Sequence, residues 1–385
     1  MNSERRPSRI LRAQSRASDA REAVREFHAA VAQPDMALVI FFCSSEYDLD
    51  QLADEMKLLF AGVQVVGCTT AGEIGPAGYL EHSLTGASFP AGSFTAVSGR
   101  IERLHQFKIA DGQAFAQNLL QSLESRAPQA DADNSFALLL IDGLSVREEP
   151  ATRALQSALG RLPLFGGSAG DGLDFGQTQV YFEGGFHTDS AILVLVSTPL
   201  PFRLFKIQHF LPTEQRLVVT AADAGHRIVS EIDGWPAAEA YARLVGTDVR
   251  NLDPLRFAAS PVVVLIDGTN YVRSIQKANQ DGSLTFFCAI EEGVVLRVAR
   301  GIDLVENLEQ ALVGIRAAIG PPQLVLGCDC ILRRLEIVQN GLVDRVEAVF
   351  HDNNVIGFNS YGEQYRGVHV NQTLTGIAIG EAADA

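Results

Sequence analysis

The chain of 385 residues is 47% hydrophobic and 20% charged, enough apolar material to bury a large core in about two domains. Its formal net charge of −15 disfavours a nucleic-acid or anionic-membrane surface, since both need basic side chains. Five cysteines, an odd number at spacings that make no disulfide framework, fit a reducing, cytoplasmic setting.

The first 26 residues carry seven arginines and no lysine, and they lack the apolar stretch of a secretory signal. Residues 1–18 are expected to form a solvated tail within a lead-in of residues 1–30, with Ile10 and Leu11 as its apolar pair. No membrane span is expected: the uncharged run from His82 to Gly99 is broken by Ser, Thr, Gly and Pro.

"ALVIFFCS" at 37–44 reads as a strand and "DLDQLADEMKLLF" at 48–60 as an amphipathic helix. "VVGCTTAGEI" at 65–74 follows, a short strand entering a turn of small hydroxyl residues that ends on a carboxylate. The pattern then recurs. "FALLLIDG" at 136–143, the helix "EEPATRALQSALG" at 148–160 and the turn "LFGGSAGDG" at 164–172 form a second copy. Gly67 and Gly166 stand as far apart as Ala37 and Phe136, so the two copies align without a gap.

A third copy carries "VIGFNSYGEQ" at 355–364, where Gly357, Gly362 and Glu363 match Gly67, Gly72 and Glu73. The same shift overlays "LTG" at 374–376 on "LTG" at 84–86. The second copy is longer after its turn, and laying "HTDSAIL" (187–193) on "HVNQTLT" (369–375) makes His187 equivalent to His369, with Tyr79 as the first copy's donor. Between copies two and three, residues 216–320 hold a helix after Asp233 and Gly234 and strands joined by Asp-Gly and Glu-Gly turns. The expected fold is α/β: three related β-α-β-type repeat units forming mixed sheets with packed helices, plus an inserted β-rich segment.

"GCTTAGE", "GGSAGDG", "DGWPAAEAY" (233–241), "GCDCILRRLE" (327–336) and the ending "GFNSYGEQYRGVHVNQTLTGIAIG" together resemble the FIST family. The resemblance implies a FIST N-terminal domain at 31–215 and a FIST C-terminal domain at 216–385, forming a cytoplasmic sensory module. Within the family, "DCILRRLE" and "GEQYRGVHVNQT" look most like the nitric-oxide-sensing NosP haemoproteins. That likeness implies haem b as cofactor and a partner histidine kinase or cyclic-di-nucleotide enzyme, a diguanylate cyclase or phosphodiesterase.

Read on their own, Thr69, Thr70 and Ser168 offer hydroxyls and free backbone N–H groups to a ligand, as turns of small residues can. The carboxylates Glu73, Asp171 and Glu363 follow the three turns, where they either serve a ligand or cap a helix or hold an arginine. Asn359 and Asn371 complete the polar set, and Arg333 or Arg334 is placed to pair with a haem propionate or a turn carboxylate. His187 and His369, with Tyr79 as the weaker candidate, are the candidate axial donors for a haem iron.

The one-residue gap in "GCDC" puts Cys328 and Cys330 on one face of a strand and Asp329 on the other. It is not a structural-zinc spacing. The main reading is a ligand-binding sensor, with haem or, alternatively, a small organic ligand such as an amino acid. The competing class is a Cys-dependent hydrolase using Cys68 or Cys330. Cys68 matches Gly167 and Phe358 in the other copies, so the position is not built around a thiol.

Overall fold

The computed structural model describes residues 9–266 and 268–381. The first unit runs β1 (Leu11–Ser15), α1 (Ala20–Val31), β2 (Met36–Ser44), α2 (Leu49–Leu59), β3 (Val65–Thr70), a hairpin of β4 (Glu73–Gly75) and β5 (Gly78–Leu80), and β6 (Leu84–Pro90). The second repeats it with β7 (Thr95–Glu102), α3 (Ile109–Arg126), β8 (Ser135–Ile141), α4 (Glu148–Leu159), β9 (Leu164–Ser168), the hairpin β10 (Val180–Phe182) and β11 (Gly185–His187), and β12 (Ser190–Ser197).

The third unit opens with β13 (Phe202–Ile207) and is interrupted at once by an insert. The insert holds β14 (Phe210–Asp223), β15 (Ile228–Ile232), β16 (Trp235–Pro236), α5 (Ala237–Leu244), α6 (Pro254–Ala259), β17 (Val262–Ile266), β18 (Thr269–Arg273), β19 (Ile275–Ala278), β20 (Leu284–Phe286) and β21 (Val295–Gly301). The unit resumes with α7 (Leu304–Ile319), β22 (Pro322–Cys330), α8 (Ile331–Gln339), α9 (Val343–Asp352) and β23 (Val355–Ser360). It closes with the hairpin β24 (Glu363–Tyr365) and β25 (Val368–Val370) and with β26 (Leu374–Gly380).

Local chemistry explains these elements. Asp19, Asp48 and Asp303 cap α1, α2 and α7 by accepting from the backbone N–H groups of Glu22, Gln51 and Glu306. The central strands β2, β8 and β22 are covered on both faces, so they read as continuous apolar runs rather than alternating ones. Each pairs in parallel with the strand that leads into a turn, β3, β9 or β23. The recurring glycines have a structural cause here: a Cβ on Gly67, Gly166 or Gly357 would collide with the carbonyl of Phe41, Leu139 or Gly327 on the paired strand.

Each unit contributes four strands to a six-stranded sheet and takes the last two from a neighbour. The hairpin β10–β11 of the second unit pairs with β3 of the first, β24–β25 of the third with β9 of the second, and β4–β5 of the first with β23 of the third. The inner faces share one core, in which Leu38, Ile40 and Phe42, Leu138 and Leu140, and Leu326, Cys328 and Phe358 meet. Three outer cores lie under the helices, and the insert has its own around Val219, Tyr241 and Phe286.

Three expectations need correction. The N-terminal tail is in part a strand: β1 pairs with β6, and Ile10 is buried in the central core because the first unit needs an edge strand there. The expected segment 216–320 is displaced, since the insert's sheet begins at Phe210 and α7 belongs to the third unit, packed between β13 and α9. The equivalence of His187 with His369 fails by one position. Gln364 faces His369 and Ile74 faces Tyr79, whereas in the second hairpin Tyr181 faces Phe186, so Phe186 is the equivalent residue. A slip of one residue turns a side chain to the other face, and His187 stands opposite Val180 on that face.

Candidate functional site

The three turns meet. Ala71 N–H donates to Asn359 O (2.9 Å), Asn359 N–H to Gly72 O (2.7 Å), Gly170 N–H to Thr69 O (3.0 Å) and Ser168 N–H to Gly362 O (2.8 Å). Thr69, Thr70, Ser168 and Asn359 are all buried, and most of their polar atoms serve this junction. Gln179 N–H donates to Thr69 Oγ1 (3.0 Å), and Gln364 Nε2 donates to Ser168 Oγ (3.0 Å).

Glu73 and Glu363 have matching environments. Glu363 accepts from Ser360 Oγ (2.6 Å), Thr373 Oγ (2.7 Å) and Thr373 N–H (3.2 Å). Glu73 accepts from Thr70 Oγ1, from Ser83 Oγ (2.8 Å) and from Ser83 N–H (3.0 Å). Burial pushes Glu73 up to about 7 and Glu363 up to about 8, against the hydroxyls that favour the charged form. These carboxyl groups brace their own hairpins.

Asp171 does not share that role. The position equivalent to Glu73 and Glu363 is Val180, because each lies next in register to Phe358, Gly167 or Cys68. Asp171 instead accepts from the backbone N–H groups of Phe175 (3.0 Å), Gly176 (2.7 Å) and Gln177 (2.7 Å), and from Tyr361 Oη. It closes a loop that only the second unit has.

Arg333 pairs with neither a turn carboxylate nor a surface group. Its Nε donates to Asp329 at 2.8 Å with both side chains fully buried, and its two terminal nitrogens have no partner among the described residues. Arg334 lies over the Tyr79 ring at 4.0 Å, and Tyr79 Oη donates to Asp329 at 2.8 Å. Asn371 accepts from Ser274 N–H of the insert at 3.4 Å.

His369 is 2% exposed, with Nδ1 against Gln364 (3.3 Å) and Nε2 against the Phe287 carbonyl (3.3 Å). Burial pushes its pKa down to about 4, so the ring is neutral. All five cysteines are buried, and burial raises the Cys68 and Cys330 thiols well above their usual range. A thiolate nucleophile is disfavoured at both.

A large cleft lies away from the turns, between the first two units. It measures about 960 Å³ and is bounded by the end of α2, the starts of β2, β3 and β7, the end of α3 and the β10–β11 hairpin. Met56, Phe60, Phe94, Tyr181 and Phe182 line it, with Lys57 and Arg126 as its cations. His187 does not itself line the cleft; its Nε2 lies 3.2 Å from the carbonyl of Phe182, which does. An N–H donated to a carbonyl fixes the tautomer and leaves Nδ1 as the lone-pair donor, the usual outer-shell arrangement of a metal-binding histidine. Nδ1 of His187 has no protein partner among the described residues.

The cleft's own lining fits a haem in its aromatic and methionine walls and in two cations for two propionates, and the imidazole nearest to it by hydrogen bonding is His187, held on Phe182 behind the lining. His369 and Tyr79 have their polar atoms committed within the protein. Sequence reasoning missed Lys57, Arg126 and Phe182, which come from three distant segments with no common motif.

Among the described residues no helix is long and apolar enough to cross a membrane. The chain is similar to an uncharacterized protein of Methanocaldococcus jannaschii, 24% identical, across 89% of this chain and 73% of the relative. A structure search finds a cyanuric acid hydrolase, described as an evolutionary innovation by structural concatenation, with 9% identity and a TM-score of 0.36 over 97% of this chain and 99% of that one. The FIST N domain profile matches residues 37–235 and the FIST C domain profile residues 237–366. Matched over most of its length by both profiles, the chain belongs to the FIST family, whose domains are sensory domains of signalling proteins.

Proposed function

We propose that the chain is a haem-based nitric-oxide sensor of the cytoplasm. Haem b would be held in the cleft between the first two units, with Lys57 and Arg126 to pair with the propionates and His187, carried behind Phe182, as the imidazole that would reach the iron. Bound haem supplies an iron that takes a diatomic gas. The output is control of a partner histidine kinase, diguanylate cyclase or phosphodiesterase, since sensory domains act through signalling proteins. The observation that carries this reading is the cleft, with methionine and aromatic walls and the two cations Lys57 and Arg126, next to which His187 is hydrogen-bonded to the lining residue Phe182.

Ligand binding can bias a partner only through its different affinity for two conformations of the protein. A molecule held between α2, α3 and the exchanged hairpin touches both units, so it is placed to fix their separation. Titration of the purified protein with hemin, followed by visible spectroscopy, tests the assignment. A Soret band that saturates at one haem per chain, and that His187→Ala weakens or shifts while His351→Ala does not, is the expected outcome. A folded protein without a saturable band, or a band indifferent to His187→Ala, overturns it.

A further inference from the structure

A second, smaller cavity lies on the far side of the second unit, where the insert meets the turns. It measures about 120 Å³ and is lined by Val146, Phe175, Arg227, Gln276, Phe287 and Tyr361 among others. At roughly 10–15 Å³ for each water-sized position, it holds a molecule of about eight to twelve non-hydrogen atoms.

Three observations describe its occupant. The walls are aromatic: Phe175 stacks on Tyr361 with ring centroids 4.6 Å apart, and Phe287 lies 6.1 Å from Phe175. Such faces favour a flat partner. Arg227 is 7% exposed, and its Nε has no hydrogen-bond partner among the described residues, a buried donor that an acceptor would satisfy.

The charge is already balanced. Arg227 Nη2 donates to Glu148 (2.6 Å) and Glu149 (2.7 Å), and His226, which also lines the cavity, has its Nδ1 2.7 Å from Asp223, so three carboxyl groups face two basic side chains and no positive surplus remains for an anion. Val146 and Phe175 hold left-handed backbone angles, φ of 54° and 51°. That conformation is costly for a β-branched residue and is characteristic of ligand clamps.

We propose that this cavity binds a small, flat, uncharged compound bearing a carbonyl, its ring against Phe175 and Tyr361 and its oxygen accepting from Arg227 Nε. Gln276, on β19 of the insert, offers a second polar contact, so the occupant bridges the insert and the second unit. This site is independent of the haem cleft.

Isothermal titration with benzamide, its anionic isostere benzoate and the non-planar cyclohexanecarboxamide tests each element on the full chain. Benzamide is expected to bind roughly tenfold or more tightly than the other two, and to weaken by a similar factor in Arg227→Lys, which removes the Nε donor. Where Arg227→Lys does not fold, Gln276→Ala at a half-buried position gives the same reading. Absence of heat with millimolar benzamide, equal or tighter benzoate binding, equal or tighter cyclohexanecarboxamide binding, or benzamide binding unchanged in whichever variant folds overturns the proposal.

Discussion

Replacing Glu363 by Gln isolates the cost of a buried carboxyl. Glu363 is fully buried, its hydrogen-bond partners among the described residues are Ser360 and Thr373 within its own unit, and burial, with a smaller push from the Asp329 carboxyl, raises it from 4.5 to about 8. The unfolded chain therefore releases this proton at lower pH than the folded one does. Stability is unaffected by the group below about pH 4.5, falls as pH rises from there to about 8, and carries a constant penalty above it.

At about 1.4 kcal/mol per pH decade, the penalty is roughly 3 kcal/mol at pH 7, roughly 4 kcal/mol at pH 8 and approaches roughly 5 kcal/mol above it. Glutamine has the shape of the protonated acid: its amide N–H donates to one hydroxyl while its carbonyl accepts from Thr373. Urea unfolding at pH 5, 7 and 8.5 should find Glu363→Gln within about 1 kcal/mol of wild type at pH 5 and several kcal/mol more stable at pH 8.5. Parallel pH profiles of the two proteins would refute the reasoning. Glu73→Gln, raised only to about 7, should show the same effect in smaller measure.

Gly167→Ala places a Cβ 2.7 Å from the Phe358 ring and 2.9 Å from Cys328 Cβ, so its thermal midpoint should fall by the equivalent of about 1–3 kcal/mol and recover partly in combination with Phe358→Leu. His369, held neutral by burial down to about pH 4, contributes stability that is complete above pH 6.5 and lost as pH falls towards 4. The His369→Gln protein should lose roughly 3 kcal/mol less than wild type over that interval in acid titration of stability. Deleting residues 1–16 removes β1 and Ile10, and should lower the urea midpoint clearly, where loss of a solvated tail would leave it unchanged.

The repeat was legible because its glycines answer to sterics that every unit shares. Gly67, Gly166 and Gly357 sit against a neighbouring strand, and at the next position Cys68, Gly167 and Phe358 differ because only one bulky ring fits there: Phe358 stacks on Phe42 at 4.5 Å, and Gly167 leaves it room. The register of the second hairpin was misread because two histidines were matched by identity. The dipeptides Glu183-Gly184 and Arg366-Gly367 carry the better signal, with both glycines at φ of 85° and their predecessors at 49° and 48°. They mark the two-residue turn that sets a hairpin's register, and aligning them brings Phe186 onto His369.

The candidate haem cleft was not legible, since Lys57, Arg126 and Phe182 acquire their common neighbourhood only through packing between units. Nor was the exchange of hairpins. A hairpin of two three-residue strands offers the same backbone donors and acceptors to its own sheet as to a neighbour's, so its residues do not say which edge it joins.

That exchange makes the chain a closed ring of debts among its parts, with consequences for how it is made. The hairpin β4–β5 leaves the ribosome early, yet its pairing strand β23 is synthesised almost at the end. The second unit likewise waits for β24 to cover β9. A nascent chain thus carries an unmated hairpin and an open strand edge through most of its synthesis, the kind of surface that invites pairing with other chains. The seam between the two family profiles falls at β16, inside the insert and not between units. A fragment cut there keeps both open surfaces, so the two halves should be soluble partners when produced together and poor ones apart.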